Sequence, residues 1–93
     1  MTMTSTGIDT TYNGWANYET WNVALYLQNE YAMYEMACHY SRQCKRLDET
    51  CNYDHLIPIL EMHFSQITPD GVRWMDPVID VEELSEMITE LTD

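Results

Sequence analysis

Residues 80–93 read Asp80-Val81-Glu82-Glu83-Leu84-Ser85-Glu86-Met87-Ile88-Thr89-Glu90-Leu91-Thr92-Asp93. Val81, Leu84, Met87, Ile88 and Leu91 recur at steps of three, three, one and three, which is the spacing of one face of an α-helix. Asp80 is a residue type that caps helix starts, and Glu83 three positions later completes a capping-box-like pattern. The stretch is therefore a capped amphipathic helix. Little of the rest alternates with the period of two that strands require. The expected fold is mostly α, a compact single domain of about four helices with at most one short strand pair.

Working back from that helix, Thr68-Pro69-Asp70-Gly71 is a turn, since proline presets one dihedral and glycine accepts a positive one. Val72 to Met75 is either a short extended piece or a turn of helix. Helix three is expected over about Asp54 to Ile67, with Leu56, Leu60, Phe64 and Ile67 inside and Pro58 near the first turn. Helix two is expected over about Glu30 to Arg46. Its inner stripe is Tyr31, Tyr34, Ala37, Cys38, Ser41 and Cys44, and Arg42, Lys45 and Arg46 complement its C-terminus. Helix one is expected over about Tyr18 to Gln28, capped by Asn17, with Asn29 ending it and capping the next helix. Trp15, Tyr18 and Trp21 read as core. Met1 to Asn13, rich in threonine, reads as a loose N-terminal arm pinned by Ile8 and Tyr12. Residues 14–93 are then the single helical domain.

Sixteen acids face four bases in 93 residues, a net charge of −12. Such a surface repels nucleic acid and anionic membranes and is attracted to basic surfaces. No apolar run approaches the roughly 20 residues of a membrane span. Met1 to Thr6 has no basic or apolar region, so no signal peptide is expected, and a cytoplasmic location with reduced thiols follows. Cys38, Cys44, Cys51, His55 and His63 are enough ligands for zinc, but their spacings match no strong pattern. Cys51 and His55 would share a helical face only if helix three began early. Small buried thiols and surface histidines account for them better than ligation does, and no cofactor is assigned. Nothing has the form of a nucleophile elbow, a zinc-protease helix or a phosphate loop, so no catalytic residue is assigned.

The acids concentrate at the end. Asp76 to Asp93 holds seven acids and no base. Glu82, Glu86, Glu90 and Asp93 fall at steps of four, four and three on one face, where like charges repel and no lysine relieves them. Each step of four advances about 6 Å along the helix, close to the spacing of phosphates on a strand. A solvated outer face is the plain explanation. Yet Glu90 and Asp93 sit at the helix end that disfavours them.

Gly14-Trp15-Ala16-Asn17-Tyr18-Glu19-Thr20-Trp21-Asn22-Val23-Ala24-Leu25 resembles the GW-x-NYETW-NVAL signature of small uncharacterised proteins carried by phages, plasmids and other mobile elements of prokaryotes. Where this chain has Tyr26, that family often has tryptophan. The resemblance implies no catalytic residues. It implies a mobile-element origin, and with the charge it suggests an anti-CRISPR or antirestriction protein that inhibits a host-defence complex. The expected partner is a protein with a basic nucleic-acid-binding groove, a CRISPR effector or restriction complex. Asp76, Glu82, Glu83, Glu86, Glu90 and Asp93 would pair with its lysines and arginines, and Trp74 with exposed tyrosines would anchor the contact. The alternatives are a helical adaptor or regulatory homodimer without mimicry of DNA, and a small zinc-stabilised module.

Overall fold

The computed structural model describes residues 11–93. Four helices follow in order: α1 (Tyr18–Asn29), α2 (Tyr31–Arg46), α3 (Tyr53–His63) and α4 (Val81–Glu90). They take 59% of the described residues, and the chain is a mostly-α single domain. Extended structure among the described residues is limited to two isolated bridges, Tyr12 with Trp15 and Ile67 with Arg73. No helix among them is long and apolar enough to cross a membrane.

Local chemistry accounts for each helix start. Asn17 caps α1 by accepting from the Thr20 amide at 2.8 Å. Asn52 does the same for α3 through Asp54, and Asp80 for α4 through Glu83. The cap of α2 is Glu30, whose carboxylate accepts from the Met33 amide. Asn29, expected as that cap, is instead the last residue of α1, and its side-chain amide donates to the Leu25 carbonyl. The end of α2 is closed by Asp48 at φ 57°, with Asp48 N–H donating to Lys45 O and Glu49 N–H to Cys44 O. That is a Schellman pattern built without glycine.

Helix α3 stops at His63, four residues short of the expected end. Phe64 leaves helical geometry at φ −122° and ψ −93°, and Ile67 is exposed beside the turn rather than on the apolar face. Pro58, expected near the first turn, lies deeper as the sixth residue of α3; it is exposed and has no N–H to engage the Asp54 carbonyl, and Asp54 is itself an exposed residue.

The core joins all four helices: Val23, Ala24 and Leu27 from α1, Ala37 and Cys44 from α2, Tyr53, Leu56 and Leu60 from α3, Leu84 and Ile88 from α4. Two expected inner faces are turned. Tyr31 is 75% exposed, and Met33 takes its place inside α2. On α1 the half-exposed side carries Tyr18 and Trp21, while Thr20 and Asn22 are fully buried. The reason lies in residues 64–80. This connection has no helix, yet Val72, Trp74 and Ile79 are buried in it, and α1 supplies the polar groups that hold its backbone.

Tyr12 to Trp15 is a tight two-residue turn. The Tyr12 and Trp15 backbones exchange two hydrogen bonds of 2.8 Å. Asn13 and Gly14 both have positive φ, 49° and 88°, as a type I′ turn requires. Tyr12 then packs on Tyr18 and Trp21 at 5.3 and 4.8 Å between ring centres. Tyr12 and Asn13, expected at the end of a loose arm, are thus tied to the domain. Ile8 lies among residues 1–10, the part of the expected arm outside the described residues.

Candidate functional site

Asn17, Thr20 and Asn22, all within the signature stretch, are structural clamps. Asn17 Nδ2 donates to the Val78 carbonyl at 2.6 Å, and Thr20 Oγ1 accepts from the Asp80 amide at 2.9 Å. Asn22 donates to Asp70 at 2.8 Å and accepts from the Thr68 hydroxyl at 2.7 Å, which in turn accepts from Val72 N–H. Tyr26 stands beside Asp70. Its hydroxyl is pushed above the ordinary tyrosine range, by partial desolvation first and then by that carboxylate. The Asn17 and Thr20 contacts join the start of α1 to the start of α4, and those of Asn22 join α1 to the turn at residues 68–72.

The acidic residues expected at the partner face divide into two groups. Glu82, Glu86 and Glu90 project from α4 as one exposed row. The others are engaged within the fold. Glu83 accepts from the Ala16 amide at 2.8 Å. It does not return to Asp80 N–H as a capping box would, because Thr20 already accepts that proton. Asp76 accepts from Val78 N–H at 3.0 Å and shapes the turn before α4. Asp93 pairs with Lys45 at 2.6 Å, so the end of the row is relieved by a base from α2.

Trp74, expected as an exposed anchor, is completely buried. Its indole N–H donates to the Ser65 carbonyl at 2.7 Å, and its own carbonyl accepts from the Tyr53 hydroxyl at 2.5 Å. It is the core of the 64–80 connection. Burial pushes the Tyr53 hydroxyl far up, with Asp54 and Glu61 adding to the effect.

A residue that sequence reasoning did not place at this site does belong to it. Trp15, with Gly14 and Gln28, walls a cavity of about 260 Å³ whose other side is Glu83, Glu86, Met87 and Glu90. The Asn13-Gly14 pair is the sequence signal for it, since that pair specifies the turn that presents Trp15. A cavity lined by an indole and by carboxylates is the surroundings that a guanidinium or ammonium group favours.

Two other clusters have plainer chemistry. Tyr12, Tyr18 and Trp21 form a half-exposed aromatic group rather than core. Their ring centres lie 4.8 to 5.6 Å apart, so the rings touch one another and leave no gap between them for a ligand. Cys38, Cys44 and Cys51 carry buried free thiols. Burial raises Cys44, lying near Tyr40 and Cys51. His55 and His63 are exposed, and Cys51 precedes the first turn of α3, so it shares no helical face with His55. Among the described residues no three histidine, cysteine or carboxylate side chains come together as metal ligands would.

No curated protein and no solved structure shows significant similarity to the chain. Its sequence matches a family of unknown function (DUF7249) over residues 8–93, and the chain belongs to that family.

Proposed function

We propose that the chain inhibits a nucleic-acid-acting protein complex by seating the exposed face of α4 on a basic groove that otherwise holds DNA or RNA. A CRISPR effector or a restriction complex is the expected target. The observation that carries the reading is the row Glu82, Glu86 and Glu90, exposed at four-residue steps with Trp15 forming the cavity wall beside it. The row contributes nothing evident to the fold, and like charges at i,i+4 cost stability. The cavity beside Trp15 suits one inserted arginine or lysine. The likeness of Gly14 to Leu25 to proteins of mobile elements supplies the context. Binding would be steric and electrostatic, with no catalytic step.

The test is the triple substitution Glu82→Gln, Glu86→Gln and Glu90→Gln, which keeps shape and helix propensity. Exposed ion pairs are worth about 0.2–1 kcal/mol each and more when desolvated. Association with a partner captured from prokaryotic lysate should weaken roughly tenfold, mainly through slower association, and its salt dependence should flatten. DNA or guide RNA should compete with the wild type. Unchanged affinity of the triple variant at low and high salt would eliminate this reading. The adaptor reading would then stand, with the half-exposed Tyr12, Tyr18 and Trp21 group as its contact.

A further inference from the structure

The acidic faces of this molecule repel a second copy of it, but one face does not. Along the exposed side of α2, Glu35, His39, Arg42 and Arg46 follow at steps of four, three and four. Charge changes sign along this row, unlike the row on α4. Beside it a groove of about 520 Å³ opens between α2 and α3, with Met36, Tyr40, Leu47 and Ile59 in its lining and one acid, Glu49, set against two histidines, His39 and His63. Leu47 is 55% exposed at its edge, and Met62 on the neighbouring turn of α3 is 79% exposed. The other mainly apolar groove, about 380 Å³ between α3 and residues 74–81, is lined by Asp54, Glu61 and Asp76 and no base, so a like-charged copy is repelled there.

We infer that this face is a homodimer interface, with α2 of one copy lying antiparallel on α2 of the other. A two-fold interface must be self-complementary, each residue i of one copy meeting residue j of the other and the reverse. A two-fold axis passing midway between residues 40 and 41 places Glu35 against Arg46 of the second copy, twice over, with His39 opposite Arg42. The row spans about 16 Å of helix. The same arrangement carries Leu47 of each copy toward the α2 surface of the other, beside the groove, where apolar burial adds to the paired charges. This inference is independent of the α4 reading, because it uses none of the α4 residues. Salt also separates the two. Screening weakens the two Glu35–Arg46 pairs but relieves more of the repulsion between two chains of net charge −12, so the dimer tightens, whereas an acidic face held to a basic partner loosens.

The experiment is sedimentation equilibrium of the full chain up to about 1 mM. Wild type should associate reversibly to twice the 11.0 kDa chain mass, more tightly at higher salt. The variants Glu35→Arg and Arg46→Glu each place like charges opposite one another at two points. Each alone should associate at least tenfold more weakly, with unchanged circular dichroism, since both positions are exposed. An equimolar mixture of the two should recover association as a heterodimer, because antiparallel pairing then matches opposite charges at both points. A wild type that stays monomeric throughout overturns the inference. So do single variants that associate like wild type, or a mixture that fails to recover association.

Discussion

Asn22 is the residue on which the irregular part of the molecule turns. It is completely buried on α1, and its amide bridges Thr68 and Asp70 across the turn that Gly71 closes at φ 92°. Buried polar groups are tolerated when their partners are present and are costly when one partner is removed. Asn22→Ala leaves the Thr68 hydroxyl without its acceptor and also opens a small cavity. Its expected cost is about 2 kcal/mol of unfolding free energy. Urea denaturation followed by circular dichroism measures it, and a loss below about 0.5 kcal/mol, the range of ordinary surface changes, would show that the clamp is not structural. Trp74 is buried in the same connection. A tryptophan flanked by a turn signal and by Arg73 and Met75 reads as surface, yet its indole N–H finds the Ser65 carbonyl and its ring fills the connection.

At the scale of the element, α4 is short, ten residues, and isolated helices of that length are marginal in water. Its stability comes from its cap and from the apolar side packed against the other helices. Asp80 caps it through the Glu83 amide, while the Asp80 amide is held by Thr20 of α1. Asp80→Ala removes the cap acceptor and the acid favoured by the helix N-terminus. It should cost about 1 kcal/mol. Asp80→Asn keeps the capping oxygen and should recover most of that loss, which separates capping from charge. The measurement is the melting temperature of the two variants side by side, and equal destabilisation by both would count against the cap. The end of α3 shows the other side of the same physics. Periodicity carries an apolar stripe on to Ile67, but the chain leaves the helix at Phe64, since residues 64–80 must fold back to bury Trp74.

For the whole molecule, the titration that couples most visibly to folding lies on the alkaline side. Tyr40 is pushed up to about 12, chiefly by burial, and its hydroxyl both donates to the Asn52 carbonyl and accepts from the Asn52 amide. Tyr53 is pushed further in the same direction. An unfolded tyrosine ionises near pH 10. Below that pH both states keep the proton and the stability from these groups is complete. Above it the unfolded chain releases protons that the folded chain retains, so stability falls as pH rises toward and through the folded values. The slope is at most about 1.4 kcal/mol per pH unit for each such group. Urea midpoints should therefore be level up to about pH 8, fall gently above it as the unfolded Cys44 thiol ionises while the buried one keeps its proton, and decline more steeply beyond about 10. Tyr53→Phe removes one of the groups and should flatten the decline, whatever it costs at neutral pH. A decline of equal steepness in that variant would remove Tyr53 from the explanation.

The four helices were legible in the sequence, though not every boundary, because what makes a helix is local. Asn17 and Asp80 cap by reaching a backbone amide three residues on, and Leu84, Met87 and Ile88 fall on one face through the helical repeat alone. The sign of the surface was legible there too, since charge adds without regard to fold. Which faces turn inward, and which acids remain available to a partner, depends on how distant segments pack. Glu83, Asp76 and Asp93 look like Glu86 in a string of letters, yet Ala16, Val78 and Lys45 engage them in the folded chain. Thr20 and Asn22 look like exposed polar positions of α1, yet they are buried because a distant connection places unsatisfied groups of Thr68, Asp70 and Asp80 against them. Those partners are separated by 46 to 60 residues of chain. A hydrogen bond between them is a property of the packed molecule, since no local pattern brings two such groups within 3 Å of each other.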